Sequence, residues 1–146
     1  IEVNQRQRQL FLDRIKKHFK NNLKGKKIAV WGLAFKPDTD DIREAPALYL
    51  IENFLRAGAK VSAYDPEAMS NVKRELGEKI SFGNDHYEVL KGADALVICT
   101  EWSVFRTPDF DQMKKLMKTK LIFDGRNLYS KEQMKEAGFT YSSIGR

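Results

Sequence analysis

A chain of 146 residues with 42% hydrophobic content suits one ordinary globular domain with a sizeable core. No apolar run approaches the roughly 20 residues of a membrane-spanning helix and no charged-then-apolar leader points to export, so a soluble cytoplasmic protein with no membrane partner is expected. The net charge of +6 would suggest nucleic acid, but residues 1 to 27 hold nine Lys and Arg against Glu2 and Asp13, a surplus of seven, so the other 119 residues sum to minus one.

That basic leader reads as a helix with a solvated charged face rather than as a nucleic-acid surface, since no aromatic residues interleave with its charges to stack bases. Phe11, Ile15, Phe19 and Leu23 recur every fourth position, whereas the "NQRQRQ" before them has no apolar residue. Gly25 is expected to end the helix. The start at Ile1 is compatible with the tail of a longer helix from a larger protein. On that view residues 1 to 23 lack their parent partners, should pair with a second chain or fray, and should be removable without unfolding the body.

From Lys26 onward strands and helices alternate, the spacing of a parallel sheet with covering helices. "KIAVWGLAF" predicts a buried strand, and "APALYLIENFLRAG" a helix with Leu48, Ile51, Phe54 and Leu55 on one face. "KVSAYDP" predicts the second strand and "AMSNVKREL" a polar helix. A short segment at "KISFG", a helix near "HYEVLKGA" and the strand "DALVICTE" follow. "DQMKKLMK" reads as helix, "KLIFDGR" as strand, "SKEQMKEAG" as helix and "FTYSSIG" as a last short strand.

Ligands of open α/β sheets bind beyond the carboxyl ends of the strands. Lys36, Arg43, Arg106 and Arg126 all follow predicted strands and can share that edge, where several cations suit a diphosphate. A dinucleotide fingerprint needs three glycines for the turn, the close approach of backbone to pyrophosphate and the packing of helix on strand. Here only Gly32 is present, so this half alone is not expected to hold a dinucleotide. Lys36 at the strand end could supply the positive charge that backbone amides supply elsewhere.

The carboxylates Asp38, Asp40, Asp41 and Glu44 do not have calcium-loop spacing, because Ile42 and Arg43 stand where a ligand and a glycine belong. "DIRE" reads instead as a capping box, with Asp41 accepting first-turn amides, Glu44 reaching back, Pro46 in the first turn and Arg43 free to point outward. His18 and His86 read as surface residues, since no serine or cysteine pattern near either completes a nucleophile and base pair. Trp102 and Phe105 follow a strand end and either pack or wall a pocket. Cys99, the single cysteine, lies in the apolar run "ALVICT". No disulfide framework is possible, and its thiol is expected mid-strand, buried and unreactive.

Taken together, "GKKIAVWGLAFKPDTDDIREAPA", "YDP", "TEW", "FDGRN" and the closing "SIGR" resemble the C-terminal domain of the UDP-glucose/GDP-mannose dehydrogenase family. "DGRN" is closer to its UDP-glucose members than to those acting on GDP-mannose or UDP-N-acetylhexosamines. The leader resembles the end of that family's long central helix, through which subunits dimerise. The resemblance implies a Rossmann-like three-layer α/β sandwich, with a mainly parallel sheet, helices on both faces and an N-terminal helix in front. Residues 1–24 would be the end of the dimerisation helix and residues 25–146 the UDP-sugar-binding domain. It further implies that Phe35 and Lys36 contact the UDP part of UDP-glucose or a related sugar nucleotide, that Arg126 contacts substrate, and that Arg43 reaches an NAD held mainly by a domain absent from this chain. No catalytic residue and no metal ligand are assigned here. The full-length protein would oxidise UDP-glucose as a homodimer. A free-standing nucleotide-binding module with a regulatory or scaffolding role is the reading from a different class.

Overall fold

The computed structural model describes residues 2–144, with side chains from Gln5 onward. Gly145 and Arg146 of the closing "SIGR" lie outside the described residues. The elements in chain order are α1 (Glu2–His18), β1 (Lys27–Trp31), α2 (Pro46–Arg56), β2 (Lys60–Tyr64), α3 (Met69–Leu76), β3 (Ser81–Phe82), β4 (Ala95–Ile98), α4 (Phe110–Leu116), β5 (Leu121–Asp124), α5 (Lys131–Ala137) and β6 (Thr140–Ser143). Single 3-10 turns stand at Gly77–Lys79, Glu88–Leu90 and Ser103–Phe105. Among the described residues no helix is long and apolar enough to cross a membrane.

The strands form one wholly parallel sheet in the order β3-β2-β1-β4-β5-β6. This is the Rossmann-like α/β fold, preceded by an N-terminal helix. The inner strands read as unbroken apolar runs because helices cover both their faces, and every residue of β4 and β5 is buried. Register places Trp31 beside both Tyr64 and Ile98, Ile98 beside Asp124, and Asp124 beside Ser143. The carboxyl ends of five strands therefore finish level, at one edge.

Local chemistry sets several boundaries away from where sequence periodicity puts them. α1 stops at His18 rather than Gly25, because Lys20 and Asn21 take left-handed backbone with φ of 55° and 58°. β1 ends at Trp31, four residues before the apolar run does. α2 has no capping box: its N-cap is Ala45, without a side-chain bond, and Pro46 starts the helix. Asp41 instead accepts from the amide and guanidinium of Arg43, while Glu44 sits at φ 56°. The buried face of α2 is Ala47, Leu50, Ile51 and Phe54, with Leu48 and Leu55 half-buried. In place of the longer helix expected near His86, only a single 3-10 turn at Glu88–Leu90 forms, where Asp85 accepts the amides of Tyr87 and Glu88. His86 is half-buried, not a surface residue: its ring packs 5.2 Å from Trp31 and its carbonyl accepts the Trp31 indole N–H at 2.8 Å. His18, by contrast, is exposed.

α1 is part of this body. Phe11, Leu12, Ile15 and Leu23 are all buried in the core, so the expectation that the leader lacks partners and frays is corrected. The helix lies beside α2 and over β5, where the His18 ring meets Phe123 edge-on at 5.6 Å. Arg14 donates to the Ser143 carbonyl at 2.5 Å, tying α1 to the last strand. Ile15→Ala should therefore lower unfolding stability by about 2–5 kcal/mol, the range for truncating a buried aliphatic side chain. Urea denaturation followed by circular dichroism checks this; an unchanged midpoint would put α1 outside the core.

Candidate functional site

The loop that follows β1 is held by a carboxylate of the protein itself. Asp65, just beyond β2, is fully buried. Its Oδ2 accepts the backbone amides of Leu33 (2.7 Å) and Ala34 (3.0 Å) and the indole N–H of Trp102 (3.0 Å). Its Oδ1 accepts the amides of Glu67 and Ala68, each at 2.8 Å. Amides after the first strand of an open α/β sheet are the ones that cradle phosphate in dinucleotide folds. Here they are already satisfied by an anion.

The crevice where strand order reverses, between β1 and β4, is closed by the same means. Gly32 has φ of 94°, and a Cβ there would stand 2.5 Å from Cβ of Thr100, so only glycine allows the two loops to meet. The Thr100 hydroxyl completes the seam by donating to the Ala34 carbonyl at 2.8 Å. Trp102 and Phe105 are packing residues, buried beneath these loops, with Phe105 stacked 4.9 Å from Trp31. Together these residues do not fit a dinucleotide.

The open space lies next to this seam, toward β5. A cavity of about 350 Å³ has Ile98, Cys99 and Gly125 among its lining residues at the strand ends, together with Phe35, Lys36 and Arg126. α1 contributes a wall through Arg8 and Phe11. Gly125 makes that wall possible: a Cβ there would come within 3.1 Å of the Phe11 ring and 2.9 Å of the Ile98 carbonyl oxygen. Phe35 is 48% exposed although large and apolar, and its amide donates to the Asp41 carbonyl at 2.7 Å, which closes the loop behind it.

Of the four cations expected at this edge, Lys36 and Arg126 line the cavity, whereas Arg43 and Arg106 are not among its lining residues. The Arg43 side chain is 86% exposed and is held on Asp41; it is outward but not free. The Arg43 guanidinium lowers the Asp41 carboxyl to about 2. Arg126 pairs with Glu101 at 2.6 Å. Burial pushes the Glu101 carboxyl up, but its backbone hydrogen bond and Arg126 outweigh that and keep it below its ordinary value. Arg8 is the cation that sequence reasoning missed. It shares a helix face with Phe11 and Ile15 at helical spacing, a signal that was available once the leader is taken as part of the body.

Cys99 lies just past the end of β4 rather than mid-strand; it is nonetheless buried, and burial pushes its thiol up to about 12. Asp124 is fully buried and occupied by the amides of Arg126 and Leu128 and the Tyr141 hydroxyl. Among the described residues no group of three or more His, Cys, Asp or Glu could hold a metal ion. The arrangement can bind an anion beside an apolar ring, with Lys36 and Arg126 as counter-charges.

Residues 29–131 match the UDP binding domain of the UDP-glucose/GDP-mannose dehydrogenase family. Over 148 residues the chain is 45% identical to the UDP-glucose 6-dehydrogenase of Pseudomonas aeruginosa, covering 98% of this chain and 33% of that one. It is 50% identical over 125 residues to the enzyme of that name from Rhizobium meliloti, covering 86% of this chain and 28% of that protein. A solved UDP-glucose dehydrogenase from Pyrobaculum islandicum superposes with a TM-score of 0.80 at 29% identity, over 98% of this chain and 30% of its own. The chain thus spans about a third of the length of the curated relatives it matches.

Asp65→Asn should cost about 3 kcal/mol or more, because an amide nitrogen would face N–H donors inside the protein. A urea midpoint equal to wild type would remove Asp65 as the organiser of the loops. Burial raises the Cys99 thiol from its ordinary 9.0 to about 12 and also raises the Tyr129 phenol. Groups with raised values contribute stability below their unfolded values and lose it as pH rises through the folded ones. Stability should therefore fall between about pH 9 and 12, and Cys99→Ser should flatten part of that fall. A thermal-melt series over this window checks it, and a flat profile would contradict the burial of the thiol.

Proposed function

From this chain's membership of the UDP-glucose/GDP-mannose dehydrogenase family, as its UDP binding domain, we propose that the cavity takes the UDP part of a UDP-sugar, UDP-glucose above all. One observation carries the reading: Phe35, Lys36 and Arg126 border a single cavity at the strand ends, beside an amide turn that the protein's own Asp65 already fills. Phe35 supplies an apolar face for the nucleoside side, Lys36 a point charge for the diphosphate, and Arg126 a forked donor for substrate oxygens.

The parent protein in this reading is an NAD-dependent UDP-glucose 6-dehydrogenase that forms UDP-glucuronate in the cytoplasm and works as a homodimer. Residues 1–24 are the end of its dimerisation helix and residues 25–146 its UDP-sugar-binding domain. NAD supplies hydride acceptance and is held mainly by a domain outside this chain, because the turn after β1 does not fit a dinucleotide. Arg43, 86% exposed, reaches toward that cofactor by exchanging its contact with Asp41. The thiol that attacks the sugar aldehyde also belongs elsewhere, since Cys99 is protonated at neutral pH.

Lys36→Ala should weaken UDP binding by about 1.5–3 kcal/mol, the worth of a charge-assisted hydrogen bond, and added salt should weaken wild-type binding. Calorimetry against UDP, UDP-glucose, GDP-mannose and NAD measures both. An unchanged dissociation constant takes Lys36 out of the site, and a preference for NAD over UDP overturns the reading. The chain mixed with UDP-glucose and NAD should show no rise in reduced-nicotinamide absorbance. Sustained turnover lost on Cys99→Ser would reverse the role given to Cys99.

A further inference from the structure

We infer that Arg8 of α1 is a third cation of the site and grips the diphosphate together with Lys36 and Arg126, so that a bound nucleotide fastens α1 to the body. This rests on the reading of the cavity as a UDP site. Arg8 lines that cavity. Its Nε is buried and has no hydrogen-bond partner among the described residues, a situation that buried guanidinium donors rarely tolerate. The group is nevertheless held in place: its guanidinium lies 4.6 Å from the centre of the Tyr49 ring, and Tyr49 in turn donates its hydroxyl to Gln9 of the same helix. A stacked guanidinium keeps its N–H edge available for a planar, forked contact with phosphate oxygens.

Charge supports the assignment. Glu44 is the acid among the lining residues, set against Arg8, Lys36 and Arg126. With Glu101, which pairs with Arg126 at 2.6 Å, these groups leave a surplus of about one positive charge to meet the roughly two negative charges of a diphosphate linked to a sugar at neutral pH. Without Arg8 that surplus would vanish. The three cations come from three separate places, α1, the loop after β1 and the loop after β5, so one anion would link all three.

The test titrates the 146-residue chain with UDP and with uridine, which lacks the phosphates, for wild type, Arg8→Ala and Arg8→Lys. The expected result is a loss of about tenfold or more in UDP affinity for Arg8→Ala, no change for uridine, and partial recovery in Arg8→Lys, which restores charge but not the fork. In wild type, UDP should also slow amide hydrogen exchange along α1. If wild type binds no UDP, the nucleotide reading itself falls and Arg8 with it. If wild type binds UDP and Arg8→Ala binds it equally, or loses UDP and uridine alike, the Arg8 assignment falls while the nucleotide reading stands. Should Arg8→Ala fail to fold, Arg8→Lys decides: UDP binding equal to wild type, or an α1 whose exchange ignores UDP, overturns the inference.

Discussion

A buried carboxylate with five N–H donors around it is the fixed point of this molecule. Asp65 gathers the loops after β1, β2 and β4 onto two oxygens. Burying such a charge is tolerable only when hydrogen bonds replace its hydration, so none of those loops can drift without leaving the charge short. The positions of Phe35 and Lys36 follow from that arrangement, since they come directly after Leu33 and Ala34, the two residues whose amides Asp65 takes. The same carboxylate occupies the turn in which an α/β fold ordinarily receives a phosphate, which shifts the ligand space toward β5.

The other wall of that space is a helix contributed from before the sheet. Phe11 reaches the strand ends because residue 125 has no side chain to keep it away. α1 therefore does two jobs with one face: Phe11 and Ile15 fill the core, while Arg8, further along the same face, borders the cavity. A helix that supplies both core and site couples the stability of its docking to whatever occupies the cavity.

Much of this was legible in the residues, and the failures have identifiable causes. Continuous apolar runs identified the buried strands, and the rule that ligands sit at strand ends pointed to Lys36 and Arg126, which do border one cavity. The same rule could not exclude Arg43 and Arg106: an edge shared by several strands is wide, and Arg43 is taken by Asp41, two residues away. The end of α1 was misplaced because Lys20 and Asn21 adopt left-handed backbone that glycine was expected to provide. The role of Asp65 in gathering the loops is not legible locally: its bonds to Glu67 and Ala68 are a short-range turn, but its partners Leu33 and Trp102 stand 32 and 37 residues away, and no local pattern records such contacts. Arg8 is not legible because a basic helical stretch with no apolar residue, "NQRQRQ", looks solvated until its packing against the sheet is known.

Strand order also shapes how the chain reaches this state. β1 to β3 and β4 to β6 are each joined by crossovers within their own half, and within the sheet the two halves are joined where β1 pairs with β4, across contacts such as Lys27 to Asp94, 67 residues apart. Closing so long a loop is entropically slow, and it must happen before the contact gives anything back. The Thr100 and Trp102 contacts that lock the loops lie just past this join. The geometry of the binding edge therefore depends on that long-range pairing, since Thr100 and Trp102 stand beside the loop after β1 only where β1 and β4 lie side by side.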